Sequence, residues 1–580
     1  MNFPSRATPR VLRAVYFGVS LVAVLYIPYF FPVSPSTSES YIFGYNNRGG
    51  VLLLLLLTSI GAICVKGPNF DFSPIGPSPK IPLRFLGLSL AVEFAACAGM
   101  YMCAGRFGAF GEPEQQVNRI WLLSQGKKPY IDFEWPWGPS LLYVPKWLSE
   151  LLHLNIPQGY FLFWVITSLI GIVLLFATLN LIDFPGRHKT AIFLLFSTYA
   201  LFSVLNMGSN YTLVRYICPL FCILIVNRVN QRSPQLRTKI HAAILAVAFT
   251  ATLLLISPEV TIAHAFACIV LLYPGRPTLA HRSQIFAYLA ALTALAVLFS
   301  FALKVHILDS IKLDGQGANS FPIAFSPAIL FFFTVVFICA CYLVRRASDE
   351  GIQDNTIALI AFSIPMTAAA LGRCDPGHVL LNGIGFFIAV FFYASTSPRM
   401  WKLYRNGFVA CFLVITPFWG VFASLRSFTK YARPAFPGNS DILSLYPDDE
   451  HPARDQILLA PFGYVPDAKG FYFSPRIDYG FYDGLFDANT PEATRRKISE
   501  LAQRPQARLL LWKNFEAACE VHERSERLFI SILFAFPYTA SAEHRESIRK
   551  PLCDYIFAHY TLAAPATPGN FQYEMWKPTP

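Results

Sequence analysis

Between residues 11 and 425 the chain returns repeatedly to sparsely charged apolar runs of about 17 to 25 residues, the length a helix needs to cross roughly 30 Å of hydrocarbon. Lipid offers no hydrogen bonds to a peptide group, so such runs have to be helices that satisfy their own backbone. The composition agrees. Of 580 residues, 54% are hydrophobic and 14% charged, with a mean hydropathy of +0.43, outside the balance of a soluble domain. The chain reads as an α-helical polytopic membrane protein.

Candidate spans cover residues 11–33, 50–65, 82–104, 159–182, 191–207, 211–226, 242–257, 260–273, 284–303, 327–344, 356–371, 379–394 and 407–425, about thirteen in all by length and hydropathy. The N-terminal MNFPSRATPRVLR is basic. The apolar stretch after it is too long for a signal-peptide core and lacks a small-residue cleavage site, so it reads as a retained first span.

The net charge is +12. Its basic residues lie mainly in short connections rather than in a patch interleaved with aromatics, which points to membrane orientation and away from nucleic acid. With the N-terminus in the cytoplasm, Lys66, Lys80, Arg84, Arg187, Lys189, Arg228, Arg232, Arg237, Lys239, Arg276, Arg282, Arg345, Arg346, Arg399, Lys402 and Arg405 all fall on one side. The loop 105–158, the turn near Glu259, the loop 304–326, the turn 372–378 and the tail from Arg426 then face the periplasm, lumen or exterior. The segments beginning at 211 and 260 are the shortest, and losing either one alone inverts everything after it.

The tail differs in composition, with charges spread through it. Residues 456–460 and 507–512 read as buried strands, and 571–576 as a closing strand. Thr490, Pro491 and Glu492 give an N-cap, a first-turn proline and an acid suited to a helix start, predicting a helix to about Gln503. A second helix is predicted over 552–560. The expected division is a transmembrane module, 1–425, and an exterior soluble α/β domain, 426–580. Cys519 and Cys553 both lie in the tail, where an oxidising compartment permits a disulfide between them. Free thiols are the other reading.

The first exterior loop carries the most chemistry. From Gly111 it runs GEPEQQVNRIWLLSQGKKPYIDFEWPWGPSLLYVPKWL. Glu112 and Glu114 precede an amphipathic helix bearing Val117, Ile120, Trp121 and Leu122, which Gly126 stops. Tyr130, Asp132 and a Gly138-Pro139 pair follow. A helix with Trp and Leu on one side is expected to lie along the membrane surface and hold the acids at the lipid–water boundary.

Acid after an early span, helix ending at Gly, PY-x-D, then Gly-Pro: over residues 112–139 this resembles the first exterior loop of GT-C fold glycosyltransferases, which include protein O-mannosyltransferases, lipid A aminoarabinose transferases and bacterial homologues. The resemblance implies a sugar donor carried on a polyprenyl phosphate, a loop acid as catalytic base, and a bacterial inner membrane. Many relatives open the loop with an Asp-Glu pair, whereas this chain has Gly111-Glu112 with Glu114 two residues on, so either glutamate fits the role.

The residues suit that chemistry on their own terms. Displacing a lipid phosphate with an acceptor hydroxyl needs one carboxylate to take the proton and cations to hold the leaving group. Glu112 or Glu114 would be the base, Asp132 a second acid, and Lys128 and Tyr130 donor contacts. Arg373, Asp375 and His378 form a polar turn between two spans, where charge is costly unless paired or bound. There Arg373 grips the donor phosphate, or an Arg–Asp pair simply staples the turn. Glu259 is a substrate contact or a helix cap. Glu93 and Arg215, inside spans, are functional suspects or partners of each other or of backbone. No HExxH, CxxC or DxD spacing occurs, so neither a required metal nor another cofactor is expected. A transporter or flippase, a non-catalytic envelope-polysaccharide assembly protein and a membrane polysaccharide polymerase or ligase are the competing readings.

Overall fold

The computed structural model describes residues 8–31, 45–64, 79–104, 112–129, 133, 135, 137–182, 186–206, 208–232, 236–272, 279–302, 322–323, 325–346, 355–374, 376–395, 398–415, 456–459, 491–512, 515–519, 525–526, 538–539, 550–564 and 573–580. In chain order the helices are α1 (Thr8–Tyr26), α2 (Asn47–Cys64), α3 (Leu83–Ala104), α4 (Glu112–Ser124), α5 (Ser140–Leu151), α6 (Ile156–Leu181), α7 (Gly186–Asn206) and α8 (Leu213–Gln231). They continue as α9 (Leu236–Leu254), α10 (Pro258–Leu272), α11 (Leu279–Ala302), α12 (Pro327–Arg346), α13 (Asn355–Arg373), α14 (Pro376–Asn382), α15 (Ile384–Ala394) and α16 (Pro398–Ile415).

Within the described residues each candidate span overlaps a helix or, for 379–394, the broken pair α14 and α15, and residues 416–425 of the last span lie outside the described residues. Among the described residues six helices are long and apolar enough to cross a membrane, or seven if the pair α14–α15, bent by 68°, is one span. The stretch 211–226 lies in one of the six, whereas α10 is a shorter apolar helix.

The connections sort into two groups by their contacts. On one side the Asn355 amide donates to the Leu181 carbonyl, Asn227 to Asn355, and Asn230 to the Leu271 carbonyl. His188 stacks on Trp401 there, with ring centroids 4.0 Å apart. On the other side Asn47, opening α2, donates to the Leu371 carbonyl at the end of α13, 3.1 Å away, and the Cys374 thiol donates to the Pro322 carbonyl at 2.9 Å. Buried amides at helix ends act here as hydrogen-bonding glue between helices.

Loop helix α4 departs from the sequence expectation. It does not lie open on the membrane surface. Val117, Ile120 and Leu122 are buried with Phe133, Trp135, Leu141, Leu142, Tyr160, Phe163 and Trp164 in a core of their own. Gly126 ends the helix as predicted: its amide returns to the Leu123 carbonyl and the Lys127 amide to that of Leu122, the Schellman pattern.

The tail strands β1 (Gln456–Leu459), β2 (Arg508–Trp512), β5 (Tyr560–Ala564) and β6 (Tyr573–Pro578) form a sheet in the order β1-β2-β6-β5, with β3 (Ser525–Glu526) and β4 (Tyr538–Thr539) paired separately. β1 lies parallel to β2 and the other neighbours are antiparallel. Helices α17 (Pro491–Ala502), α18 (Phe515–Cys519) and α19 (Lys550–His559) accompany the sheet. Leu501, Leu509, Leu511, Phe515, Leu552, Ile556 and Trp576 form a core there. Successive residues of a strand point to opposite faces, so Trp576 enters this core while its neighbour Met575 packs into the α4 core. The strand Tyr560–Ala564 is not legible in the sequence, being a short continuation of α19.

Cys519 and Cys553 form a disulfide joining α18 to α19, with Cα atoms 5.9 Å apart, inside the usual span for a bridge. Replacing both by serine is expected to lower the unfolding free energy of this sheet and its helices by about 2–4 kcal/mol. Denaturant titration of the two proteins, read by proteolysis of the tail, measures the difference, and coincident midpoints would count against the bridge as a support.

Candidate functional site

The connections on the second side converge on a polar cluster. Its centre is the 3-10 turn Ser209–Tyr211, between α7 and α8. Gln116, on α4, donates to the Asn210 side-chain oxygen at 2.6 Å and accepts from the Ser209 hydroxyl at 2.7 Å. The Tyr160 hydroxyl, on α6, accepts from the Ser209 amide at 2.9 Å. Gln116, Ser209 and Asn210 are all buried, so each amide and hydroxyl needs these partners to offset its desolvation.

Arg215, in the first turn of α8, holds the next layer. Its guanidinium donates to the Asn210 carbonyl at 3.0 Å and forms an ion pair with Glu259. The other Glu259 oxygen accepts from the Ser257 hydroxyl. Arg215 also lies over the rings of Tyr211 and Tyr216, 5.9 and 5.5 Å from their centroids. Arg215 therefore pairs with Glu259 and with backbone, not with Glu93. Glu93 is buried in α3, and its carboxyl oxygens have no hydrogen-bond partner among the described residues.

The loop after α4 is fastened to the same place. The Gly138 amide donates to the Ile256 carbonyl at 3.0 Å and the Ser140 amide to the Leu255 carbonyl at 2.9 Å. A Cβ at position 138 would collide with the Leu255 carbonyl oxygen, which explains glycine there: the two backbones touch. The indole of Trp135 donates to the Gly138 carbonyl at 3.1 Å, and Arg119 stacks over Phe133 at 5.6 Å.

From the opposite part of the chain, His378 opens the break between α13 and α15. Its Nε2 is 2.7 Å from the Tyr211 hydroxyl, and its carbonyl accepts from Asn382 at 2.9 Å. The turn before it is strained, with Cys374 at a φ of 47°, a conformation non-glycine residues adopt at some cost and often near functional sites. Broken helices inside a membrane protein are tolerated where they line a polar region.

Of the residues singled out from sequence, Arg215, Glu259 and His378 enter this cluster directly. Lys128 is exposed just beyond α4. Glu112 and Glu114 occupy the first turn of α4, and their side chains, like that of Arg373 at the end of α13, lie outside the described residues. Tyr130, Asp132 and Asp375 also lie outside them. Sequence reasoning missed Gln116, Ser209, Asn210 and Tyr211, which are neutral and carry no charge signal. The one cue was a short polar Gly-Ser-Asn-Tyr stretch between two apolar runs. Among the described residues no group of three or more His, Cys, Asp or Glu side chains is arranged to hold a metal ion.

No protein-family model matches the chain. No curated protein sequence matches it. Among solved structures it is similar to ArnT from Cupriavidus metallidurans bound to undecaprenyl phosphate, at 12% identity and a TM-score of 0.41 over 75% of this chain and 94% of that one. It is similar to the arabinofuranosyltransferase AftD from Mycobacteria at 13% identity and 0.39, over 86% of this chain and 42% of that one. It is also similar to the Archaeoglobus fulgidus oligosaccharyltransferase at 12% identity and 0.35, over 89% and 79%.

Proposed function

We propose that the chain is a membrane glycosyltransferase that moves a sugar from a polyprenyl-phosphate donor to an acceptor hydroxyl, with thirteen crossings and the site on the exterior face. The observation that carries this reading is the convergence of four separate connections on one buried polar cluster: loop helix α4, the Ser209–Tyr211 turn, the 255–259 turn and the break at His378. A donor whose isoprenoid tail stays in the bilayer has to be met at the ends of spans, and that is where these groups meet.

The helical repeat is the ground for choosing Glu112 over Glu114 as the base. Position 112 lies four residues before Gln116 and seven before Arg119, in the same helical phase as those two. Position 114 is about 200° further round at 100° per residue, on the Trp121 side. In the reaction the acceptor oxygen forms a bond to the sugar's anomeric carbon, the bond to the phosphate oxygen breaks, the carboxylate takes the hydroxyl proton, and the polyprenyl phosphate leaves. Arg373 and Lys128 supply positive charge for that leaving group, with Tyr130, Asp132, Asp375 and His378 around the donor and acceptor. Glu259 serves this site by holding Arg215.

Purified protein incubated with polyprenyl-phosphate sugars in lipid is expected to release the free polyprenyl phosphate and to pass the sugar to an acceptor. Movement of substrate across vesicles with no covalent product would replace this reading with a transporter. Arg373→Ala is expected to raise the donor KM roughly tenfold or more, the size of one charge-assisted phosphate contact, and to leave the acceptor KM near that of the parent. An unchanged donor KM would remove Arg373 from the phosphate site.

A further inference from the structure

Glu93 is an acid on an apolar helix, yet it is 1% exposed while its neighbours Val92 and Phe94 on α3 are exposed. The level it occupies is fixed by the packing of α3 on α6. Ahead of α3, the Ile81 amide donates to the Asn180 side-chain oxygen, near the end of α6, at 2.9 Å. Glu93 lies twelve residues after Ile81, and Ser168 lies twelve before Asn180. At about 1.5 Å per residue both reach the same height, about 18 Å from that contact, and Ser168 does face the carboxyl. Ser168 is itself 1% exposed. It lies near the middle of Gln158–Leu181, a segment of membrane-span length.

Among the described residues no cation reaches this place. Residues 158–181 of α6 and 190–206 of α7, the helices packed against α3, contain no Asp, Glu, Lys, Arg or His. Arg84 is nine residues back on α3, and His188 and Lys189 stand at the start of α7. The titratable side chain beside Glu93 is Cys97, one turn on. Tyr160 and Tyr199, the tyrosines of the facing helices, are engaged with the Ser209 amide and the Gly377 carbonyl. Ser89 donates to Ser197 at 3.1 Å, and Ser197 donates to the Leu194 carbonyl at 3.0 Å. That leaves the two Glu93 oxygens and the Ser168 hydroxyl, none of which has a hydrogen-bond partner among the described residues.

A carboxylate here is shut off from bulk water and has no cation. An isolated buried charge is so costly that such a group takes up a proton instead. The protonated carboxyl gains a donor, and Ser168 supplies the acceptor. A metal ion suits the place less well, since hard cations take about six oxygen ligands and the carboxyl with Ser168 offers only three. We propose that Glu93 is a proton-binding site within the membrane: its carboxyl carries a proton at neutral pH and donates it in a hydrogen bond to Ser168, and this neutral pair joins α3 to α6. The assignment stands apart from the transferase reading, since it requires no substrate.

The test is infrared spectroscopy of the full-length protein in ether-linked phosphatidylcholine, a lipid with no carbonyl of its own. At about pH 8 exposed Asp and Glu side chains are ionised, so a carboxylic-acid C=O stretch above the amide band reports a proton that is held. The parent is expected to show this stretch, and Glu93→Gln to lose it. Ser168→Ala is expected to keep the stretch and raise its frequency, because a carboxyl that loses its hydrogen-bond partner has a stiffer C=O bond. A parent without the stretch overturns the proposal, and so does a stretch that persists unchanged in Glu93→Gln. Loss of the parent's stretch on adding sodium or magnesium chloride overturns it in favour of a bound cation. Should Glu93→Gln fail to fold, Ser168→Ala decides by itself: an unshifted frequency breaks the Glu93–Ser168 pair and the proposal with it.

Discussion

Replacing Glu112 by glutamine is expected to lower donor-dependent transfer by about 10²–10⁴-fold, the usual contribution of a positioned general base, whereas Glu114→Gln retains most of it. Glutamine keeps the size of the side chain and its hydrogen-bonding capacity but cannot accept the acceptor's proton, so the loss falls on kcat. Both proteins are expected to purify in the same amount and unfold at the same temperature as the parent. The comparison decides the helix phase: if Glu114→Gln is the silent enzyme and Glu112→Gln turns over normally, the assignment is reversed, and full activity in the double variant removes both.

Arg215→Met is expected to have the largest effect on stability. It leaves the Glu259 carboxylate without its cation and the Asn210 carbonyl without its donor. Breaking one side of a largely buried pair costs about 3–5 kcal/mol, because the remaining charge stays mostly desolvated without its cation. Removing the second charge as well, in Arg215→Met with Glu259→Gln, is expected to recover most of the loss, since no uncompensated charge remains. Thermal or denaturant unfolding in detergent provides the comparison. A single variant as stable as the parent would mean that the pair does not hold α8 to the 255–259 turn.

Both predictions concern groups that were unequally visible beforehand. Glu112 and Glu114 stood out together because acids after a span and before a Gly-stopped helix are a local pattern, and Gly126 ends α4 as expected. Glu259 was visible as a charge at a span junction, but its partner was not. Arg215 and Glu259 are 44 residues apart, and nothing in the local pattern distinguishes Glu259 from Glu93 as the mate of Arg215. The α4 surface was misread for a related reason. A helix with Trp and Leu on one side has the same periodicity whether that side meets lipid or another protein core. Here Met575, from the far end of the chain, helps to cover it.

The sequence by itself determined that the chain is built from apolar helices of membrane-spanning length, and roughly where those helices run. These follow from run length and hydropathy, both of them local quantities. It also marked the outline of the tail, where a capped helix start and short apolar strands recur in a charged background. Tertiary structure alone decided that Gln116, Asn210, Arg215, Glu259 and His378 share one cluster. That choice depends on which helix ends meet, and helix ends meet through buried hydrogen bonds between neutral residues whose spacing along the chain carries no periodic signal.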